Sequence, residues 1–228
     1  MPEHASRDIP PSGDTAARNA GLVIIAATLL EIAGMAHHPA VTTPDIAQAI
    51  VQITRFSLLS AWVHGGLIGL MLAILYAYTE FSRRRGLARP LIRAGLVAYT
   101  AGIFSMIIAA TMSGFVVGQL ASLTSHATVA DLQINAQLLI LCRVLNQSFA
   151  GLATVLMSAG ILFWSFDLLR GSMPARLAGI CGCAVGLLPA LALIFGALHL
   201  DVQGMTLVVM VQSLWNIAVG VLLLRKLL

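Results

Sequence analysis

Long apolar stretches alternate with short polar stretches along this chain, and the alternation predicts its secondary structure. Six stretches provide the roughly 20 apolar residues that an α-helix needs to cross the hydrocarbon of a bilayer. They cover residues 19–38, 58–80, 92–122, 134–168, 177–199 and 205–225. Lipid offers no partner to the edge of an open sheet, so the spans must be helical. The sequence therefore predicts an all-α membrane protein that folds as a six-transmembrane-helix bundle.

The segments outside these stretches predict a tail and one extra helix. Residues 1–18 are polar and proline-containing, which is typical of a flexible cytoplasmic tail, and residues 19–228 form a single six-helix transmembrane domain. Thr43-Pro44-Asp45 has the features of a helix start: a capping hydroxyl, a proline at the first position and an acid near the positive dipole end. Apolar residues then share one face: Ile46, Ala49, Ile50 and Ile53. They predict a short amphipathic interfacial helix between spans one and two that runs into span two.

Composition and charge set the surroundings and the orientation. Only 10% of the residues are charged and 59% are hydrophobic, whereas soluble domains carry about 25% charged residues. All of the 13 basic residues except Arg55 and Arg143 lie on the side of the bundle that holds both termini. The positive-inside rule makes that side cytoplasmic, which predicts a multi-pass protein of the cell inner membrane.

The same features bear on the partners of the chain. The lipid bilayer is the expected surrounding, and the arginines at span ends form no basic face that would favour nucleic acid. A chain with six spans would form a complete transport pathway as a homodimer or within a larger membrane complex.

Two groups of residues with chemical potential are expected near the outer face of the membrane. Imidazoles lie at or near the outer ends of the spans: His37, His38, His64 and His199. A slightly deeper polar layer contains Glu31, Arg143, Asn146, Gln147, Gln212 and Asn216. Charges at this depth are rare and normally face the protein interior or a wet cavity. We expect an ion pair between Glu31 and Arg143, with the amides completing its hydrogen bonds.

These residues permit more than one chemistry. The leading hypothesis is an outward-facing pocket that binds a transition metal (copper, zinc or iron), haem b or a small ligand, with the imidazoles as ligands. The alternatives are a proton-coupled transporter of a small solute, an enzyme that acts on a lipid or quinone, and a non-catalytic subunit or assembly partner of a membrane complex. A polar layer that only specifies helix packing is a further possibility. The sequence contains no HExxH, CxxC or nucleophile motif that would decide between them.

Overall fold

Helices account for all the regular structure of the described part of the chain. The computed structural model describes residues 12–39, 41, 43, 45–123 and 129–228. Its elements are α1 (Ser12–Ala36), α2 (Ile46–Arg85), α3 (Pro90–Thr111), a π-helical turn (Met112–Val116), α4 (Val117–Leu123), α5 (Val129–Leu168), α6 (Met173–Ile194) and α7 (Val202–Leu224). The elements from Pro90 to Leu123 form one continuous span, and six spans in all are long and apolar enough to cross a membrane. The predicted six-helix bundle is confirmed, and the chain is a multi-pass membrane protein.

The first helix starts earlier than its apolar stretch suggested. α1 begins at Ser12, so residues 12–18, predicted as part of a flexible tail, are helical. Ala17 and Ala20 are 1% and 0% exposed in the core, and their burial explains why the helix extends beyond the apolar stretch. Residues 1–11 lie outside the described residues.

The second helix starts where the sequence predicts, but with a different capping residue. Asp45 is the N-cap, and its carboxylate accepts a 2.8 Å hydrogen bond from the Gln48 N–H. The Thr43 hydroxyl instead accepts a 3.2 Å bond from the Asp45 N–H, and Pro44 lies outside the described residues. The helix then continues without a break to Arg85. The predicted interfacial helix is therefore the first part of one 40-residue helix rather than a separate element.

Helix length differs systematically within the bundle. With 40 residues each, α2 and α5 are about 60 Å long at 1.5 Å per residue, about twice the thickness of the hydrocarbon core. By contrast, α1, α6 and α7 have 25, 22 and 23 residues, which is close to what a single crossing requires. The long helices therefore extend beyond the short ones.

The two ends of the bundle differ in chemistry. At one end, the guanidinium of Arg85 donates a 2.9 Å hydrogen bond to the carboxylate of Asp167, and Arg89 donates to the same carboxylate. We call this the basic end. The opposite end, which we call the histidine end, holds the loops that follow α1 and α6, with His38 and His199. The antiparallel order of the helices thus separates the Arg83–Arg93 segment from the histidines, as the sequence predicts.

An aromatic cluster fills the core between the cavity described below and the basic end. Tyr78 stacks on Trp164 with ring centroids 4.6 Å apart, and Tyr99 and Phe81 pack around the same indole. The indole N–H donates a 3.2 Å hydrogen bond to the Ile92 carbonyl. All four rings are at most 1% exposed. The four rings therefore form a packed core next to the cavity.

Candidate functional site

A cavity of about 760 Å³ lies between α1, α2, α3, α5 and α7 in the histidine half of the bundle. Its walls are largely apolar, with side chains such as Leu67, Ile103 and Val208. The polar residues that the sequence singled out are gathered in it: Glu31, His38, His64, Arg143, Asn146, Gln147, His199, Gln212 and Asn216. Four helices (α1, α2, α5 and α7) and the loops that follow α1 and α6 therefore bring these side chains to one cavity.

His37 is the predicted site residue that does not line this cavity. Its ring is exposed, and its Nδ1 lies 2.9 Å from the carbonyl oxygen of Ala33 in the last turn of α1. Adjacent residues point in directions about 100° apart on a helix, and α1 ends at Ala36, just before His37. Only His38 is turned inward, and His199, although it lines the cavity, remains exposed.

His38 and His64 form a pair at the mouth of the cavity. Their Nε2 atoms are 3.2 Å apart, and the two rings meet edge to face with centroids 4.7 Å apart. The Nδ1 of His38 lies 2.9 Å from the Pro39 carbonyl oxygen, and that of His64 lies 2.8 Å from the Ser60 carbonyl oxygen. A carbonyl only accepts hydrogen bonds, so both Nδ1 atoms carry the proton. In the neutral form of each ring, the Nε2 lone pair then faces the other ring.

The surroundings of His38, in the loop that follows α1, favour a neutral ring. Burial lowers the pKa of His38 below its ordinary value of 6.5, and the hydrogen bond to the Pro39 carbonyl opposes this change. Desolvation destabilises the charged imidazolium more than the hydrogen bond to the Pro39 carbonyl stabilises it. His38 is thus held as a neutral donor of one lone pair.

The π-helical turn in the third span positions His64. This turn covers Met112–Val116, and its Gly114 is buried against α2. A Cβ atom built on Gly114 would lie only 2.4 Å from the Cβ of His64, so the backbone approaches the histidine as closely as the absence of a side chain permits. Single π turns inside α-helices occur frequently at functional sites. Sequence patterns gave no signal for this turn beyond the glycine itself.

The predicted ion pair between Glu31 and Arg143 does not form. The ion pairs of the described residues join Glu80 or Asp167 to arginines at the basic end. The physical reason is the route of the helices: α1 packs on α2 and α7, whereas α5 packs on α3 and α6. The cavity therefore separates the Glu31 carboxyl from the Arg143 guanidinium, although both line it.

The amides in the polar layer fall into two classes. Asn146 donates to the Ala109 carbonyl at 2.9 Å and to the Ser113 hydroxyl, and Gln147 donates to the Leu200 carbonyl at 2.7 Å. These two amides connect α5 to its neighbours. Asn216 accepts a hydrogen bond from the Tyr78 hydroxyl. Gln212 is different, because its Nε2 is buried without a hydrogen-bond partner among the described residues.

The arrangement of the side chains bears differently on the predicted metal site and on the predicted haem site. No three His, Cys, Asp or Glu side chains come together as a ligand set in the part of the chain that the structure describes. Haem b held between two axial imidazoles needs their Nε2 atoms about 4 Å apart, on opposite sides of the iron. The 3.2 Å separation of His38 and His64 does not fit that arrangement. The two Nε2 atoms are nevertheless close enough to bind one ion together.

Sequence reasoning missed the thioether content of the cavity. Five methionines line it: Met35, Met71, Met106, Met157 and Met205. One signal was present in the sequence, because Met35 follows Glu31 by four residues and therefore shares its helix face.

A second cavity continues from the first toward the histidine end. It has a volume of about 450 Å³ and lies between the extended parts of α2 and α5 and the start of α4. His38, His64 and Arg143 line both cavities. The histidine pair therefore lies at the junction between the two spaces. No protein-family model, curated protein or solved structure matches this chain.

Proposed function

We propose that this membrane protein binds one small amphipathic organic molecule in the 760 Å³ cavity. Ligand pockets in proteins typically measure about 300–1,000 Å³ and combine apolar walls with a few placed polar groups. The ligand class that fits has an apolar body and at least one hydrogen-bond acceptor, such as the carbonyl of a quinone or an acyl lipid. Such molecules reach a cavity of this kind from the bilayer.

The observation that carries the proposal is the amide of Gln212. It lines the cavity, is 6% exposed and has an Nε2 without a partner among the described residues. A buried donor left without an acceptor costs about 1–3 kcal/mol. A ligand carbonyl next to Gln212 would remove that cost. Such a gain favours a ligand with an acceptor over a purely apolar one.

The orientation and the membrane are part of the proposal. With the basic end in the cytoplasm, the cavity lies in the outer half of a cell inner membrane. The aromatic cluster around Trp164 lies between the cavity and the basic end. That arrangement favours a binding site reached from the outer half of the bilayer.

The experiment compares bound molecules in matched variants. The full chain is purified in a mild detergent without added lipid, and bound molecules are identified by native mass spectrometry and by extraction. We expect one amphipathic molecule per chain in the wild type and its loss in Gln212→Leu. Gln119→Leu changes an exposed amide on α4 and should retain the molecule. The proposal would be contradicted if Gln212→Leu and Gln119→Leu retained equal amounts of the bound molecule, or if the wild type carried none.

Solute transport is the second candidate, and one observation favours it. The Glu31 carboxyl lines the cavity without an ion pair to Arg143, so its charge state is free to follow occupancy. Uptake into vesicles that stops in Glu31→Gln, with binding retained, would support transport. Uptake unchanged by that substitution would count against a proton-coupled mechanism.

A further inference from the structure

Two imidazole lone pairs face each other at the junction of the two cavities. The Nδ1 protons of His38 and His64 are engaged by the Pro39 and Ser60 carbonyls. The Nε2 atoms, on the opposite sides of the two rings, are 3.2 Å apart. Lone pairs at that distance repel unless a cation lies between them. A metal cation placed between the two Nε2 atoms would accept both lone pairs.

The pattern matches the way in which proteins prepare histidine for a metal ion. A metal-binding imidazole usually donates its other ring N–H to a carboxylate, a carbonyl or water, which fixes the tautomer and the ring orientation. His38 and His64 both show this second hydrogen bond. Metal–nitrogen bonds of 2.0–2.1 Å to atoms 3.2 Å apart subtend an angle of about 100–106°. One ion can therefore accept both lone pairs at neighbouring coordination positions.

The remaining ligands available at this place decide the class of metal. Structural zinc normally takes four protein ligands and catalytic zinc takes three, from Cys, His, Asp or Glu. Among the described residues no such set of three exists. The cavity instead supplies thioethers, and Met35 is 8% exposed in the last turn of α1, three residues before His38. Thioether sulfur selects copper(I), and imidazole is also a copper ligand.

From these contacts we infer that His38 and His64 bind one copper(I) ion at the junction of the two cavities, with the Met35 sulfur as a third ligand. This site goes beyond the proposed organic ligand and does not depend on it. Copper binding would survive in Gln212→Leu, and binding of the organic molecule would survive in Met35→Leu if the thioether serves only the metal. The two proposals can therefore fail separately.

The test uses the full chain in detergent under anaerobic conditions. Copper(I) is titrated in competition with a chromophoric copper(I) chelator, and zinc(II) is titrated in parallel. We expect one copper(I) per chain, bound more tightly than zinc(II). His38→Gln and His64→Gln should each weaken copper binding by at least about 100-fold, the upper end of the loss expected for an outer partner of a ligand. His37→Gln alters an exposed imidazole outside the cavity and should bind like the wild type.

X-ray absorption at the copper edge keeps the inference testable if a histidine variant fails to fold. The wild-type spectrum should show two imidazole nitrogens and one sulfur, and the sulfur should disappear in Met35→Leu. Failure of the wild type to bind copper(I), tighter binding of zinc(II), or a spectrum without imidazole would each overturn the assignment. Wild-type-like copper affinity in both His38→Gln and His64→Gln would do the same.

Discussion

The backbone of Gly114 packs directly against His64, so a Cβ on residue 114 would lie only 2.4 Å from the Cβ of His64. Gly114→Ala should therefore force α2 and the π-helical turn apart. We expect the free energy of unfolding to fall by about 1–3 kcal/mol, the usual cost of overpacking. Chemical or thermal unfolding in detergent measures the change.

Gly66 on the same helix as His64 provides the control. A Cβ at Gly66 meets nothing within 4 Å, and alanine favours a helix over glycine by about 1 kcal/mol. Gly66→Ala should leave stability unchanged or raise it. If both alanine variants behave alike, the close approach at residue 114 does not matter energetically.

Asp167 should be the most sensitive acidic residue at the basic end. Its carboxylate is 5% exposed and accepts hydrogen bonds from Arg85 and Arg89. Removing one partner of a buried ion pair costs about 3–5 kcal/mol, because the other charge stays behind. We expect Asp167→Asn to lower the free energy of unfolding by about that amount. Arg83→Gln alters a pair whose guanidinium side chain is 56% exposed, and it should lower the free energy of unfolding much less than Asp167→Asn does.

The histidine pair should make stability depend on pH in one direction. Burial holds the pKa of His38 below 6.5, so the unfolded chain takes up the proton more readily than the folded chain. Neutral His38 contributes its stability above pH 6.5, and that contribution is lost as the pH falls through the lowered value. The charged or titratable groups lining the same cavity are Glu31, His64, Arg143, His199 and Asp201.

Thermal unfolding between pH 7.5 and pH 5 tests this sign. Acidification below pH 6.5 should lower the melting temperature of the wild type relative to that of His38→Gln. His38→Gln should show a weaker dependence, and His37→Gln should follow the wild type. Identical pH dependences in the wild type and in His38→Gln would contradict a neutral, buried His38.

The orientation can be measured with single cysteines in a chain whose native cysteines have been replaced. Ala88 and Ala197 are exposed in loops at the basic end and at the histidine end, respectively. In intact cells, an impermeant thiol reagent should label Ala197→Cys from outside, and Ala88→Cys only after the membrane is opened. The reverse result would place the cavity in the inner half of the membrane.

The spans were predictable because their signal is local. Hydrophobic length alone located all six, and the Thr43-Pro44-Asp45 motif marked the start of α2 within two residues. The end of α1 was also readable, since Pro39 disfavours a helical conformation at the residue before it. Each of these features depends on a few neighbouring side chains, so a single sequence contains the required information.

The site was only partly predictable. Counting residues along a helix gives the depth of a side chain in the membrane, but it does not give the direction in which that side chain points. Counting along helices placed Glu31 and Arg143 in one layer, and both line the cavity. It did not give the rotation of α1 relative to α5, so the predicted ion pair was wrong. The contact between His38 and His64 and the π turn at Gly114 depend on tertiary packing. No local pattern of residues encodes either.

The histidine pair lines both cavities, and this shared boundary has a thermodynamic consequence. A ligand in the 760 Å³ cavity and a ligand in the 450 Å³ cavity would both contact His38 and His64. If the first ligand alters how tightly the second is held, the second must alter the first by the same factor. Saturating one cavity with its ligand would then change the ligand occupancy of the other cavity.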